Sequence, residues 1–374
     1  MKIVFVSNYF NHHQRDLSDN LYKYTGGNYY FIETSKITEE RIKLGWKLHN
    51  YPEYVKFSYL SAKDEQYCKQ VINDADLVII GSAPFSLVKE RLKKGKLVFR
   101  YSERVYKSTK TKIQYPLRMI KYMFEGGIYK NMYLLCSSAY AKKDYNVSLS
   151  YIGKCFKWGY FPKTNRISNI SSFYSQKDDN LILWVGRLIY WKHPEYMIKL
   201  AKYLKKNHID KKILLIGDGP MKKYLEKCIF KNDLRGYIEL MGSVSFDKVQ
   251  DYMKKCKIFI ATSDKNEGWG AVINEAMGNA CIVVASSGMG SVPYLINHKK
   301  NGLIFKNYSH KSMINIVSDL LNNLEDYNYL GINAYKTIQN TWNGEVAAKR
   351  VIELSNKILE NKQTDFTDGP CSKA

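Results

Sequence analysis

The sequence predicts an α/β protein built from two doubly wound, parallel-sheet domains. Short apolar runs alternate with longer amphipathic ones along the chain, the pattern left by strands joined through helical crossovers. The strand candidates are almost continuously apolar, as strands covered on both faces must be. A length of 374 residues with 45% hydrophobic content suits two folded domains with substantial cores.

In the first half the strands are predicted at Lys2–Ser7, Tyr29–Glu33, Leu77–Gly81, Leu97–Tyr101 and Met132–Ser137, with helices over 12–24, 62–74, 85–94, 113–125 and 138–145. The pattern lapses into a polar, serine-rich stretch between Phe161 and Asn180. This divides the chain into a first domain, 1–165, a linker, 166–180, and a second domain, 181–340. A C-terminal helix and tail, 341–374, follow, the helix placed to cross back to the first domain. In the second half the strands are Leu181–Gly186, Lys211–Ile216, Tyr237–Met241, Ile258–Thr262, Cys281–Ala285 and Gly302–Phe305. Helices fall over 193–206, 220–231, 245–255, 270–278 and 309–323, with two more near the C-terminus. The polar tail Thr364–Ala374 is expected to fray. Ligands bind such sheets beyond the carboxyl ends of the strands, so the two domains are expected to face a central cleft.

Composition narrows the function classes. No run approaches the length of a membrane span. The apolar start Met1–Val6 gives way at once to Ser7-Asn8-Tyr9, which reads as a buried first strand and not as a signal peptide, and a cytoplasmic protein is expected. Seven scattered cysteines without a C-x-x-C pair read as buried free thiols, and no structural metal is implied. A net charge of +23 favours polyanions: nucleic acid, anionic headgroups or phosphorylated substrates. No zinc-finger spacing or RRM-type signature appears, and nucleic acid is not the expected partner.

The chemistry sits at strand ends. In V-G-R-L-I-Y-W-K-H-P, a strand ends at Gly186, Arg187 follows, and Lys192 precedes the helix that Pro194 opens. A planar fork and a point charge beside a helix N-terminus can hold a diphosphate; the alternative is two surface cations on a loop. Gly217-Asp218-Gly219-Pro220 and Gly242-Ser243-Val244-Ser245 repeat the strand, glycine turn and helix pattern, with Ser245 as the helix cap. In N-E-G-W-G-A-V-I-N-E, Glu267 lies at a helix N-terminus and Glu275 in the second turn. Eight helical residues separate two side chains by ~12 Å and about 80°, too far to share one metal ion. Two hydroxyl acceptors along an extended ligand fit better, with Gly268 and Gly270 leaving backbone open to it. The competing reading has Glu267 complementing the helix dipole and Glu275 exposed.

Taken together, V-G-R-L-x3-K at Val185–Lys192, G-D-G-P at Gly217–Pro220, M-G-S-V at Met241–Val244 and E-G-W-G-A-V-I-N-E-A-M-G at Glu267–Gly278 resemble family 4 glycosyltransferases. That resemblance covers roughly residues 181 to 306 and implies the GT-B fold, two Rossmann-like domains. It implies retaining transfer of a sugar from a UDP- or GDP-linked donor to a saccharide acceptor, one commonly linked to polyprenyl diphosphate, in O-antigen, capsule or exopolysaccharide synthesis. Arg187, Lys192 and Glu267 would then be catalytic, the cations steadying the leaving nucleotide and Glu267 holding the sugar. Gly186, Gly217, Gly242, Ser243, Val244, Gly268, Trp269, Gly270, Ala271 and Val272 would line the donor, and Glu275 would take the ribose hydroxyls. No metal and no further cofactor is implied. An acceptor that is soluble or protein-bound is the alternative within this class, and a basic nucleic-acid-binding protein the distant one.

The first half departs from that family. No glycine-rich loop follows the first strand, and the corner at Phe99–Arg104 has no histidine. Asn8, His12, His13, Glu103 and Arg104 are the acceptor-side candidates; helix capping by Asn11 and surface histidines are the alternative. Residues 104–130 mix basic side chains with Tyr, Met, Ile and Phe, which fits docking on an anionic membrane at its cytoplasmic face. A core helix with a solvated basic face is the other reading.

Overall fold

The computed structural model describes residues 1–39, 42, 50–107 and 115–374. They form two compact units, Met1–Lys163 with Thr341–Ala374, and Thr164–Asn340.

The first unit holds seven strands: β1 (Ile3–Ser7), β2 (Tyr29–Glu33), β3 (Val55–Phe57), β4 (Leu77–Ile80), β5 (Leu97–Ser102), β6 (Met132–Cys136) and β7 (Cys155–Lys157). Their order is β3-β2-β1-β4-β5-β6-β7, all parallel, so the winding reverses between β1 and β4. Val4, Val6, Ile32, Val78, Ile80 and Val98 bury one sheet face against Val71 and Ile72 of the helix Ala62–Asp74. Each such side chain contributes about 1.5–3 kcal/mol on burial. The three-residue edge strands β3 and β7 escape the sequence pattern because they are too short to show a period. The helix predicted over 113–125 is α-helical from Tyr115 to Tyr122 and continues as a π turn, Met123–Gly127. Residues 113 and 114 lie outside the described residues.

The tail is not frayed. Lys157 N–H donates to Ser372 O (2.8 Å), Cys371 N–H to Lys157 O (2.8 Å) and Ala374 N–H to Cys155 O (3.1 Å). The last residues thereby pair with the open edge of β7, and Cys371 is buried. The helix Gly344–Leu359 packs on the helix His12–Tyr24, where Gly344 N–H donates to Asp16 (3.1 Å) and Tyr24 OH to Glu345 (2.7 Å).

The second unit holds β8 (Asp178–Val185), β9 (Lys212–Ile216), β10 (Ile238–Gly242), β11 (Cys256–Ala261), β12 (Ile282–Ser286) and β13 (Leu303–Phe305). Their order is β10-β9-β8-β11-β12-β13, again all parallel, with the reversal between β8 and β11. Residues 166–180, read from composition as a linker, are built into this unit. Asn169 caps a short helix, Ile170–Ser175, and β8 begins at Asp178. Lys177 is buried and donates to the carbonyls of Met253, Lys254 and Cys256, each at 2.9 Å. A side chain that polar in composition is thus an internal tie. The cysteines are free thiols, six buried and Cys228 half-buried.

Candidate functional site

Two loops leave the sheet where its winding reverses, one after β8 and one after β11, and hydrogen bonds stitch them together. Trp184 Nε1 donates to Thr262 Oγ1 (2.8 Å), Thr262 Oγ1 donates to Lys192 O (2.5 Å), and Asp264 N–H donates to Trp191 O (2.8 Å). The consequence is that Lys192 Nζ lies 2.5 Å from Glu267 Oε2, both side chains more than four-fifths buried. Two of the three residues predicted to be catalytic are therefore in direct contact. Lys192 ends a 3₁₀ turn, Tyr190–Lys192, that leads into the helix Glu195–Lys206 with Pro194 at its N-cap. The Arg187 guanidinium lies over the Trp191 ring, 5.8 Å from its centroid, so the third predicted residue is held on the same loop.

The glycines at these strand ends let backbone meet backbone. Gly217 has φ +140°, and a Cβ there would fall on the Gly186 carbonyl. Gly186 N–H donates to Ile216 O (3.0 Å) and Gly217 N–H to Gly242 O (2.8 Å), which lines the three glycines up across β8, β9 and β10. Gly242 is left-handed with open space where a Cβ would stand; Ser243 beside it is exposed and Val244 half-buried. Ser245 caps the following helix, Phe246–Lys255, as its sequence predicts.

The helix predicted over 270–278 begins at Val272, because Gly270 is still left-handed at φ +88°. Glu275 consequently sits in the first turn and not the second. Its carboxyl is half-buried with no hydrogen-bond partner among the described residues, and burial pushes it up to about 7. Gly268 is buried, while Ala271 and Val272 are half-buried at the helix start. The Trp269 indole is fully buried with Nε1 donating to Asn274 (2.8 Å), so its side chain is packing.

One residue at this corner was not singled out from sequence. His193 Nδ1 lies 2.8 Å from Glu195 Oε1 and Nε2 lies 3.3 Å from Asp264 Oδ2. Histidine next to a predicted phosphate lysine gave no signal, because its partner Asp264 is 71 residues away.

In the first unit, Asn11 forms a capping box with Gln14, which places His12 and His13 at the start of their helix. Burial lowers the His12 imidazole's affinity for a proton. The His13 ring approaches Tyr160, 6.0 Å between centroids, and Tyr160 OH donates to Glu103 (2.9 Å). Glu103 also pairs with Lys107 (2.5 Å). Asn8 accepts from Thr34 and Ser35 N–H through its carbonyl. Arg104 lies 3.6 Å from Asp144 and over the Tyr140 ring. His13 and Glu103 are thus brought to a common tyrosine, while Asn8 and Arg104 make separate structural contacts. Among the described residues, no group of three or more His, Cys, Asp or Glu is arranged to hold a metal ion.

Residues 166–337 match the family Glycosyl transferases group 1. That stretch, a little under half of the chain, is similar to a glycosyl transferases group 1 domain. An uncharacterized glycosyltransferase of Methanocaldococcus jannaschii is 32% identical over 165 residues, 44% of this chain and 45% of that protein. The chain spans about half the length of the curated relatives it matches. Among solved structures, Anabaena HepE in complex with UDP aligns with a TM-score of 0.68 at 15% identity, over 96% of this chain and 99% of that one. The pneumococcal O-GlcNAc transferase GtfA, in complex with UDP and GlcNAc, aligns with a TM-score of 0.69 at 9% identity over 96% and 99%. With the two all-parallel sheets, these likenesses show the GT-B fold. The matched stretch carries the Lys192–Glu267 pair, the glycine-lined strand ends and Glu275.

Proposed function

We propose that this protein is a retaining glycosyltransferase of the family 4 type. It moves a sugar from a UDP- or GDP-linked donor to a saccharide acceptor borne on a polyprenyl diphosphate lipid, in surface-polysaccharide assembly. The observation that carries this reading is the Lys192–Glu267 contact at the point where the sheet reverses. A cation beside a helix N-terminus suits the donor diphosphate, and a carboxylate next to it suits sugar hydroxyls. The donor diphosphate would compete with Glu267 for Lys192, with that carboxylate beside the sugar. Arg187 and Lys192 then carry the charge that develops on the leaving nucleotide, with no metal taking part. Glu275, desolvated and without a protein partner among the described residues, accepts the ribose hydroxyls. Retention follows from attack on the face that the nucleotide leaves. The relatives solved with UDP support a nucleotide-linked donor.

A lipid-borne acceptor draws support from one surface of the first unit. Leu117, Ile120, Phe124 and Ile128 are exposed along 115–128, and Val147, Leu149 and Ile152 are exposed in the next segment. The two segments adjoin: a Cβ on Gly127 would meet Leu149 O at 3.0 Å, and Gly126 lies against the Tyr151 ring. Lys121, Lys130, Lys142 and Lys143 are exposed in or next to these stretches; Glu125 is tied to Arg100 (2.7 Å) and lies 3.7 Å from Lys121, and Asp144 accepts from the Val105 and Tyr106 N–H groups. Apolar side chains within a basic rim suit the cytoplasmic leaflet of a membrane. No described helix is long and apolar enough to cross one. Lys110 and Lys112 of the predicted docking segment lie outside the described residues.

The reaction is tested by acceptor-dependent release of UDP or GDP from a panel of sugar nucleotides. Lys192→Ala should lower kcat about 10²–10³-fold with the fold intact. Turnover unchanged in that variant would remove Lys192 from the mechanism.

A further inference from the structure

His193 has φ 48° and ψ 49°, a left-handed conformation in which glycine is the easy occupant. Its ring is nonetheless held from both sides. Nδ1 faces Glu195 Oε1 at 2.8 Å and Nε2 faces Asp264 Oδ2 at 3.3 Å. A neutral imidazole has one N–H only, so two carboxylate oxygens can both be satisfied only by the imidazolium. The ring also stacks on Tyr196 (4.9 Å) and meets Tyr308 edge-on (6.0 Å), and no second basic group bonds either carboxylate among the described residues. Burial disfavours the charged ring, but the hydrogen bonds and charges of Asp264 and Glu195 outweigh it and raise the imidazole to about 9. On the other side, burial works against an ionised Asp264, and the hydrogen bonds from His193 and Asn266 overcome it and hold the carboxyl below its ordinary value.

The partners sit on different loops. Glu195 opens the helix just after Lys192. Asp264 belongs to the loop of Glu267: its Oδ1 accepts from Asn266 N–H (2.7 Å) and Nδ2 (2.9 Å), and its carbonyl accepts from Glu267 N–H (3.0 Å). We propose that His193 is a positioning residue, an imidazolium clamp that holds the Lys192 loop against the Glu267 loop and so keeps the donor-diphosphate site assembled. The proposal rests on the donor-transfer reading and adds to it a pH-dependent brace that touches no substrate.

The sign is fixed by the direction of the shift. The clamp stabilises fully below about pH 6.5, the unfolded value, and is lost as pH rises through about 9. His193→Gly removes the ring and keeps the backbone conformation, so the variant should fold. Between about pH 6 and 10, the wild-type Tm advantage over His193→Gly should be largest at the acid end and disappear at the alkaline end. At neutral pH the variant should bind UDP or GDP about tenfold or more weakly, with kcat changed far less. The affinity gap should close at alkaline pH. A Tm difference that stays constant over the range overturns the clamp, whether or not nucleotide binds. A pH-dependent Tm difference with equal nucleotide affinities overturns the positioning role. If the wild-type protein binds neither nucleotide, the donor reading falls instead, and the Tm profile alone decides whether the clamp exists.

Discussion

At the residue scale the site is a set of charges whose spacing depends on one contact and one vacancy of hydrogen bonding. Lys192 and Glu267 neutralise each other at 2.5 Å. Glu275 has burial and no counter-charge, and that burial pushes its carboxyl up to about 7. Hydroxyl donors favour the ionised form. Nucleotide binding should therefore release a proton and tighten as pH rises from about 6 to 8, levelling off above the free-protein value. Glu275→Gln should abolish that dependence and weaken UDP or GDP binding by about 1–3 kcal/mol. Titration calorimetry in buffers of different ionisation enthalpy measures both, and an unchanged proton count in the variant would dismiss Glu275 as the titrating group.

At the element scale, stability rests on polar ties that close strand and helix ends. Arg91 is fully buried and donates to the carbonyls of Ala75 (3.1 Å), Asp76 (3.2 Å) and Leu97 (2.9 Å). Lys177 does the same at the end of the helix Phe246–Lys255, spending all three of its donors on carbonyls. Lys177→Met keeps most of the volume but strands those acceptors, and should cost about 3 kcal/mol or more. Differential scanning calorimetry would then show Tm lowered by roughly 5–10 °C. A Tm within error of wild type would mean that water replaces the amine without loss. Deleting 364–374 should likewise destabilise the first unit, because the tail completes the β7 edge and buries Cys371.

At the scale of the whole molecule, the net charge of +23 suits the proposed contact with an anionic membrane. Lys121, Lys130, Lys142 and Lys143 are exposed in or next to the stretches 115–128 and 147–152, and a lysine is worth about 1 kcal/mol near an anionic leaflet. Neutralising Lys121, Lys142 and Lys143 together should lower partition onto phosphatidylglycerol-containing vesicles by roughly two orders of magnitude. Phe124→Ser should weaken binding even to highly charged vesicles, since it removes inserted area and leaves the charge unchanged. Cosedimentation equal on neutral and anionic vesicles would count against the basic rim.

The sequence by itself determined the alternation of strands and helices, the parallel sheets and the strand ends at which chemistry is expected. Those are local facts: apolar runs at Ile3–Ser7 and Ile258–Ala261, glycine at turns, proline at a helix start. Through the resemblance of its motifs it also gave Arg187, Lys192 and Glu267 as the residues expected to act together. Tertiary structure alone decided that they touch, that Glu275 stands in a first turn, and that His193 joins Glu195 to Asp264. It turned the polar stretch 166–180 into a helix, a buried lysine and the start of a strand. It also turned the polar tail into the cover of an edge. The reason is common to all of these. Each depends on a partner distant in the chain, and a polar residue's composition is the same whether its hydrogen bonds go to water or to a buried carbonyl.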